Sequence, residues 1–221
     1  MIKDVVILGA GGFAKEVYEM VLDQGIYNML GWIVDPQYTP PETRIYGFPV
    51  LGGFDWLEGK VDKIMAIPAI GPPELRMEFV RRCERYGIRL ATVIHPSVSL
   101  SRWATLGEGI VVCHHCVIRN EVKLGRAVQI NMECVAGHGV VMEDFATLAM
   151  GVQVTGGTLL GEGCYIGSGV TFSRAWKVGK WSRIGSGASV ASDIPDNATA
   201  VGVPSKVVRV REEGWHTKIY S

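Results

Sequence analysis

Three short stretches of the chain carry residues able to do chemistry. Gly9-Ala10-Gly11-Gly12-Phe13-Ala14 follows the apolar run Val5-Val6-Ile7-Leu8 and precedes a helical pattern of Val17, Met20 and Val21. Strand, glycine turn and helix in that order open a dinucleotide-type unit, in which backbone N–H groups at a helix start hold phosphate oxygens. The same turn also occurs with no ligand at all. A second apolar run, Leu30-Gly31-Trp32-Ile33-Val34, ends at Asp35, where such units use a carboxylate to bind a ribose hydroxyl. Cys113-His114-His115-Cys116 has the C-x-x-C spacing and the imidazoles of half a zinc site.

The elements around these stretches fall into two kinds. A third strand is predicted over Val61 to Ile67. Next come the turn Ala69-Ile70-Gly71-Pro72-Pro73 and a helix from Glu74 to about Tyr86, after which Leu90 to Ile94 leads onward. Every sixth residue from Ile94 to Val190 is then apolar without a gap, a period that neither a helix nor a single strand has. Short extended segments turning three corners per coil account for it, giving a parallel β-helix of about five coils with residue n over n+18. The slot two residues before each apolar position holds Ala, Cys, Ser, Thr or Val except at Ile110 and Trp176, so large and small side chains share a narrow interior. Cys116, Cys134 and Cys164 fall in that slot as compact hydrophobes, which argues against a zinc site. Glycine follows the apolar residue at 107, 125, 137, 161, 167, 179 and 185, as expected where a corner must bend without a Cβ.

These patterns predict an α/β Rossmann-like domain over residues 1–92, an all-β hexapeptide-repeat β-helix over 93–205 and a C-terminal tail over 206–221. The 221 residues carry 22 basic and 22 acidic groups, which leaves no electrostatic footprint for nucleic acid. No apolar stretch reaches the length of a membrane span and the N-terminus lacks a signal-peptide profile, so no membrane insertion and a cytoplasmic location are expected. Five cysteines, an odd number, predict no disulfide framework.

The G-A-G-G-F-A turn, the Ala69-Ile70-Gly71 turn, the hexapeptide β-helix and the ending Asp193-Ile194-Pro195 through Gly202-Val203-Pro204-Ser205-Lys206 together resemble one family over about residues 3 to 210. It is that of the bacterial hexapeptide-repeat sugar acyltransferases, which includes sialic acid O-acetyltransferases and N-acetyltransferases of nucleotide-linked 4-amino sugars in glycan biosynthesis. The resemblance implies a left-handed helix, a homotrimer, a nucleotide-linked sugar substrate and acetyl-CoA held along the β-helix between subunits, with no metal. It points to His138 as the general base that deprotonates the amine of a nucleotide-linked amino sugar. The repeat register independently sets His138 at an outward corner, with Asn120 below and Gly156 above. By the same matching, sugar-nucleotide contacts fall at Gly11, Gly12, Phe13, Asp35, Pro36 and Gly71, and acetyl-CoA contacts at Thr147, Gly156, Ser168 and Ser186. The N–H groups of the Gly156-Gly157 turn are assigned to the thioester oxygen.

The chain departs from the family at Gly139, where an acid usually follows the catalytic histidine. Orientation of His138 then falls to Glu121, Glu143, Asp144 or a backbone carbonyl. Phe13, Pro36 and Thr147 also differ from the usual residues, and an apolar Phe13 and Pro36 imply a different sugar or nucleotide. Phe172 and Trp176 predict a widened corner near Ser173-Arg174-Ala175, with Arg174 in the His138 column at the CoA end. The tail Arg209 to His216 is predicted to cap the open end of the helix, and Lys206 or Arg209 to meet a CoA phosphate. Three other readings stay open: sugar O-acetylation, a non-catalytic sugar-nucleotide-binding trimer, and a carbonic anhydrase-like zinc enzyme using His114, His115 and His138 across a trimer interface.

Overall fold

The computed structural model describes residues 2–38 and 43–218. Its N-terminal part is a sheet in the order β3-β4-β2-β1-β5-β6, from β1 (Lys3–Leu8), β2 (Tyr27–Ile33), β3 (Arg44–Ile45), β4 (Phe48–Gly52), β5 (Ile64–Pro68) and β6 (Arg89–Leu90). All pairings are parallel except the β3–β4 hairpin. A parallel sheet covered on both faces requires unbroken apolar strands, and Val5 to Leu8 are fully buried. Helix α1 (Gly12–Gln24) packs Val17, Met20 and Val21 against one face. Helix α2 (Pro73–Arg85) packs Phe79, Val80 and Cys83 against the other.

Two details differ from expectation. The strand predicted from Val61 begins at Ile64, because Asp62 sits in the left-handed region (φ 59°) and turns the chain first. The β3–β4 hairpin was not anticipated, since its Tyr46-Gly47 turn puts a tyrosine at positive φ (49°) where Asn or Asp usually stands.

From Val93 the chain winds into a three-sided prism of two-residue strands. The first face stacks Val93, Val111, Gln129, Thr147, Tyr165 and Arg183; the second runs from Ser99 to Ser189 and the third from Thr105 to Lys177. Each pairing joins residues 18 apart, as with Val111 to Gln129 and Val135 to Gln153. Inside lie the predicted large and small residues, among them Ile118, Ile130, Leu148, Leu160, Ile166 and Cys116, Cys134, Cys164. The Ser173-Arg174-Ala175 corner is irregular as expected. The Trp176 indole N–H donates to Ser173 Oγ at 3.1 Å under the Arg174 guanidinium, yet the 18-residue register continues past it.

The role of the repeat glycines is corrected. Gly137 lies against the next coil, and a Cβ there would sit 2.6 Å from the backbone N of Gly156; the equivalent atom on Gly167 would meet Ser186 N at 2.6 Å. Close approach of stacked backbones, not bending, excludes the side chain. The bend comes two residues later, at a left-handed residue such as Glu133 (φ 60°), Gly139 (66°) or Gly151 (68°). Gly137→Ala should therefore lower stability by about 2 kcal/mol or more by overpacking against unyielding backbone. Gly151→Ala, facing open space, should cost only about 1 kcal/mol for its positive φ. Urea unfolding midpoints of the two variants check the order.

Candidate active site

The first face of the prism meets the N-terminal sheet through Arg76, whose side chain is fully buried. Its guanidinium donates to Ala127 O (2.9 Å), Ile70 O (2.8 Å), Gly71 O (2.9 Å), Gln129 Oε1 (2.7 Å), Phe145 O (2.6 Å) and Thr147 Oγ1 (2.7 Å). Burial pushes its pKa down to about 9, with the Glu74 carboxylate opposing, so it stays charged at neutral pH. Gln129 adds Nε2–H to Pro68 O at 2.8 Å. These bonds hold the Ile70-Gly71 turn at a fixed height on the β-helix.

Two clefts flank that turn. One, of about 400 Å³, is lined by Phe13, Gly71 and Pro72 on one side and by Gln129, Asn131, Tyr165 and Arg183 on the other. The second, of about 280 Å³, lies at the ends of β1 and β2 among Gly9, Gly11, Val34, Asp35, Ile70 and Phe79. A Cβ added at Gly11, Gly12 or Gly71 would meet nothing within 4 Å, so bare backbone faces open space beside both. Gly11 and Asp35 thus share one cleft and Phe13 and Gly71 the other. Pro36 is exposed in the short 3₁₀ turn Pro36–Tyr38 and lines neither. Asp35 pairs with Arg82 and accepts the Gln37 N–H at 3.2 Å, so a ribose hydroxyl would share it with a guanidinium that the sequence did not point to. Arg183 pairs with the buried Glu74 and lies against the Trp215 ring. Gln129, Tyr165 and Arg183 were also missed as site residues. Their 18-residue spacing on the outward side of one face was the available signal.

His138 is exposed at the corner between the second and third faces, and its carbonyl accepts the Gly157 N–H at 2.8 Å. That bond corrects one expectation: the Gly157 N–H is spent on the backbone and cannot serve a thioester oxygen. Gly156 has a steric part at this corner, because a Cβ there would lie 2.1 Å from His138 Nδ1. The glycine makes room for the ring itself. Among the described residues no carboxylate is hydrogen-bonded to this imidazole. Glu143 accepts from Glu162 N and Asp144 from Arg126 N on another corner, which removes both as orienting groups.

The remaining residues named from sequence separate. Ser168 and Ser186 stack on the corner between the first and second faces, whereas Thr147 lies on the first face, buried against Arg76. His114 belongs to the corner of Ser168 and Ser186, not that of His138, so the carbonic anhydrase-like set does not meet within the chain. The Cys113-to-Cys116 motif is split as well: Cys113 packs under α1 and Cys116 inside the prism. Burial pushes the Cys113 thiol up to about 12.

The comparisons with known proteins agree with this architecture. The PglD N-terminal domain family matches residues 4–83. The acetyltransferase domain of PglB from Neisseria gonorrhoeae FA1090 superposes with a TM-score of 0.86 at 28% identity, over 93% of this chain and 100% of that one. A mutant of perosamine N-acetyltransferase from Caulobacter crescentus, in complex with CoA and GDP-perosamine, gives 0.87 at 28% identity over 95% and 98%. Over nearly its whole length the chain is thus similar to hexapeptide-repeat sugar acetyltransferases. WeeI from Acinetobacter baumannii AYE, at 25% identity, matches over 93% of this chain and 100% of its own with a TM-score of 0.85. The prism is the left-handed β-helix of these acetyltransferases. No curated protein sequence matches the chain.

The tail does more than cap the prism. Lys206–Val210 pairs antiparallel with Ala198–Val201 along the first face, and Trp215 then returns to Arg183 while His216 stacks on Trp181 at 3.7 Å. Burial lowers the His216 pKa, the Arg81 charge adds to this and Glu74 opposes it. The neutral ring is therefore the docked form. Docking is complete above the ordinary imidazole range, about 6.5, and weakens as pH falls through it; amide exchange over 211–217, corrected for intrinsic rate, should rise between pH 7.5 and 5.5. For the junction, Arg76→Met should cost about 3 kcal/mol or more, because several buried acceptors lose their donor at once. Chemical denaturation checks this.

Proposed function

We propose that the protein transfers an acetyl group from acetyl-CoA to the amino group of a nucleotide-linked amino sugar. The observation that carries this reading is the pair of clefts around the Ile70-Gly71 turn, one bounded by the glycine loop and Asp35, the other by the glycine loop and the prism. The nucleoside occupies the Asp35 cleft, the diphosphate meets the bare backbone of Gly11 and Gly12 at the start of α1, and the sugar faces Phe13, Gln129, Asn131 and Tyr165. Likeness to an N-acetyltransferase held with CoA and a GDP-linked sugar supports the same order.

In the reaction, the sugar amine attacks the thioester carbonyl carbon while His138 takes the proton the nitrogen sheds. Collapse of the tetrahedral adduct expels the CoA sulfur, and the imidazolium returns the proton to it. His138 and the sugar cleft belong to different parts of the prism surface, so the reading includes a homotrimer in which His138 of one copy faces the cleft of the next. Acetyl-CoA then runs between copies, past Ser168 and Ser186. A cytoplasmic location fits the supply of acetyl-CoA and nucleotide sugars; no helix of the described residues is long and apolar enough to cross a membrane.

A second reading, a sugar-nucleotide-binding trimer without catalysis, is favoured by one observation: among the described residues the ring of His138 has no carboxylate partner, with Gly139 where the acid would be. Acetyl transfer to UDP-, GDP- and dTDP-linked amino sugars, followed by release of free CoA thiol, separates the two. The expected result is turnover with at least one of them and a loss of about 10² to 10⁴ in kcat for His138→Asn. Gly11→Val should instead raise KM for the nucleotide sugar and leave KM for acetyl-CoA unchanged. Tight nucleotide-sugar binding with no thiol release would favour the second reading.

A further inference from the structure

Away from the clefts, Asp23, His95 and His114 bring one ligand atom each to within 4.8 Å of one another. They come from three separate segments. Asp23 stands in the last turn of α1, His95 follows the first prism strand, and His114 lies on the same corner one coil on. The arrangement runs against local preference at Asp23. The C-terminal turn of a helix carries negative partial charge and disfavours a carboxylate, and this turn contains no basic residue to offset it. Something positive beside Asp23 is the physical remedy.

His95 is held at both ring nitrogens. Its Nδ1 accepts the Ser97 backbone N–H at 3.1 Å and lies 2.7 Å from Ser97 Oγ, and that hydroxyl is itself fixed by the His115 backbone N–H at 2.9 Å. The opposite nitrogen, Nε2, points at Asp23 Oδ2 at 3.2 Å. The Ser97 contacts on the far nitrogen fix the orientation of the ring, so that Nε2 is presented to Asp23. The His114 ring lies against His95 with centroids 3.7 Å apart and planes opened by 28°. The stacking brings one nitrogen of each ring and a carboxylate oxygen of Asp23 within reach of a single cation.

The geometry points to a binding site for a divalent transition metal of the zinc class at Asp23, His95 and His114, tying α1 to the first two coils of the prism. The donors are two imidazole nitrogens and one carboxylate oxygen, with water completing the shell. Metal–nitrogen distances of about 2.0 to 2.1 Å are reached by splaying the stacked rings through their side-chain torsions. On binding, Nε2 becomes the ligand and its proton passes to Nδ1, which gives up the Ser97 N–H bond and donates to Ser97 Oγ instead, with no net proton gained or lost. The site holds the two parts of the chain together and takes no part in acyl transfer.

The test uses the full chain, stripped of metal and titrated with Zn²⁺ at pH 7.5 by calorimetry, with thermal unfolding in parallel. One saturable equivalent per chain and a melting point raised by the metal are expected. Asp23→Asn, a change at a largely exposed side chain, should weaken binding at least tenfold. His114→Asn should abolish the saturable equivalent, and circular dichroism identifies any variant that fails to fold, in which case the other decides. Any acetyl transfer should be unchanged in both. Absence of a saturable equivalent, or one of unaltered affinity in the folded variants, would overturn the assignment.

Discussion

One buried cation fixes the relation between the two halves of this molecule. Arg76 offers its donors to carbonyls and side chains of the Ile70-Gly71 turn and of two segments of the β-helix, and among the described residues no carboxylate is hydrogen-bonded to its guanidinium. A charge kept from water in this way is tolerable only if nearly every donor is satisfied, and that demand sets the position of each partner within a few tenths of an ångström. The cleft between the glycine loop and the first face inherits its shape from those bonds. Gln129 and Thr147, outward-facing residues of a β-helix, are drawn out of solvent by the same group.

The prism was legible because its physics is periodic. A large residue every sixth position, a small one two before it and a glycine one after it each answer a separate steric requirement, and all repeat at one spacing. The strand–turn–helix opening at Gly9 to Val21 was legible for a similar reason, since each residue type answers a local need. What could not be read were contacts made by single long side chains across large separations in sequence. Arg76 reaching Phe145, Arg82 reaching Asp35 and Arg183 reaching Glu74 have no local pattern, because an arginine on a helix face looks the same whether it meets water or a buried carbonyl.

The histidines show the same division. His138 could be set at a corner by counting, but the closeness of its ring to Gly156 and the commitment of the Gly157 N–H to its carbonyl are three-dimensional facts. They change what the neighbouring glycines do: one accommodates the ring, the other pins its backbone. Along the chain His95 stands just after the leading strand that ends at Ile94 and drew no reading of its own, and His114 was read as part of a cysteine motif. Their meeting depends on the difference of nineteen positions, one coil plus one residue, which places the two rings one above the other.

The ladder of bonds between coils has a mechanical consequence. Backbone N–H groups of the prism reach carbonyls in the adjoining coils, as Val135 N does to Val152 O and Gly157 N to His138 O, so no coil is closed on itself and each leans on its neighbours. Such a stack frays from its ends inward. The lower end, with Leu100 and Trp103 exposed, is the natural starting point for fraying, while His138 lies mid-stack with coils on both sides. The imidazole is thereby mounted away from both extremities, and thermal wear at either one is absorbed before it can disturb that ridge.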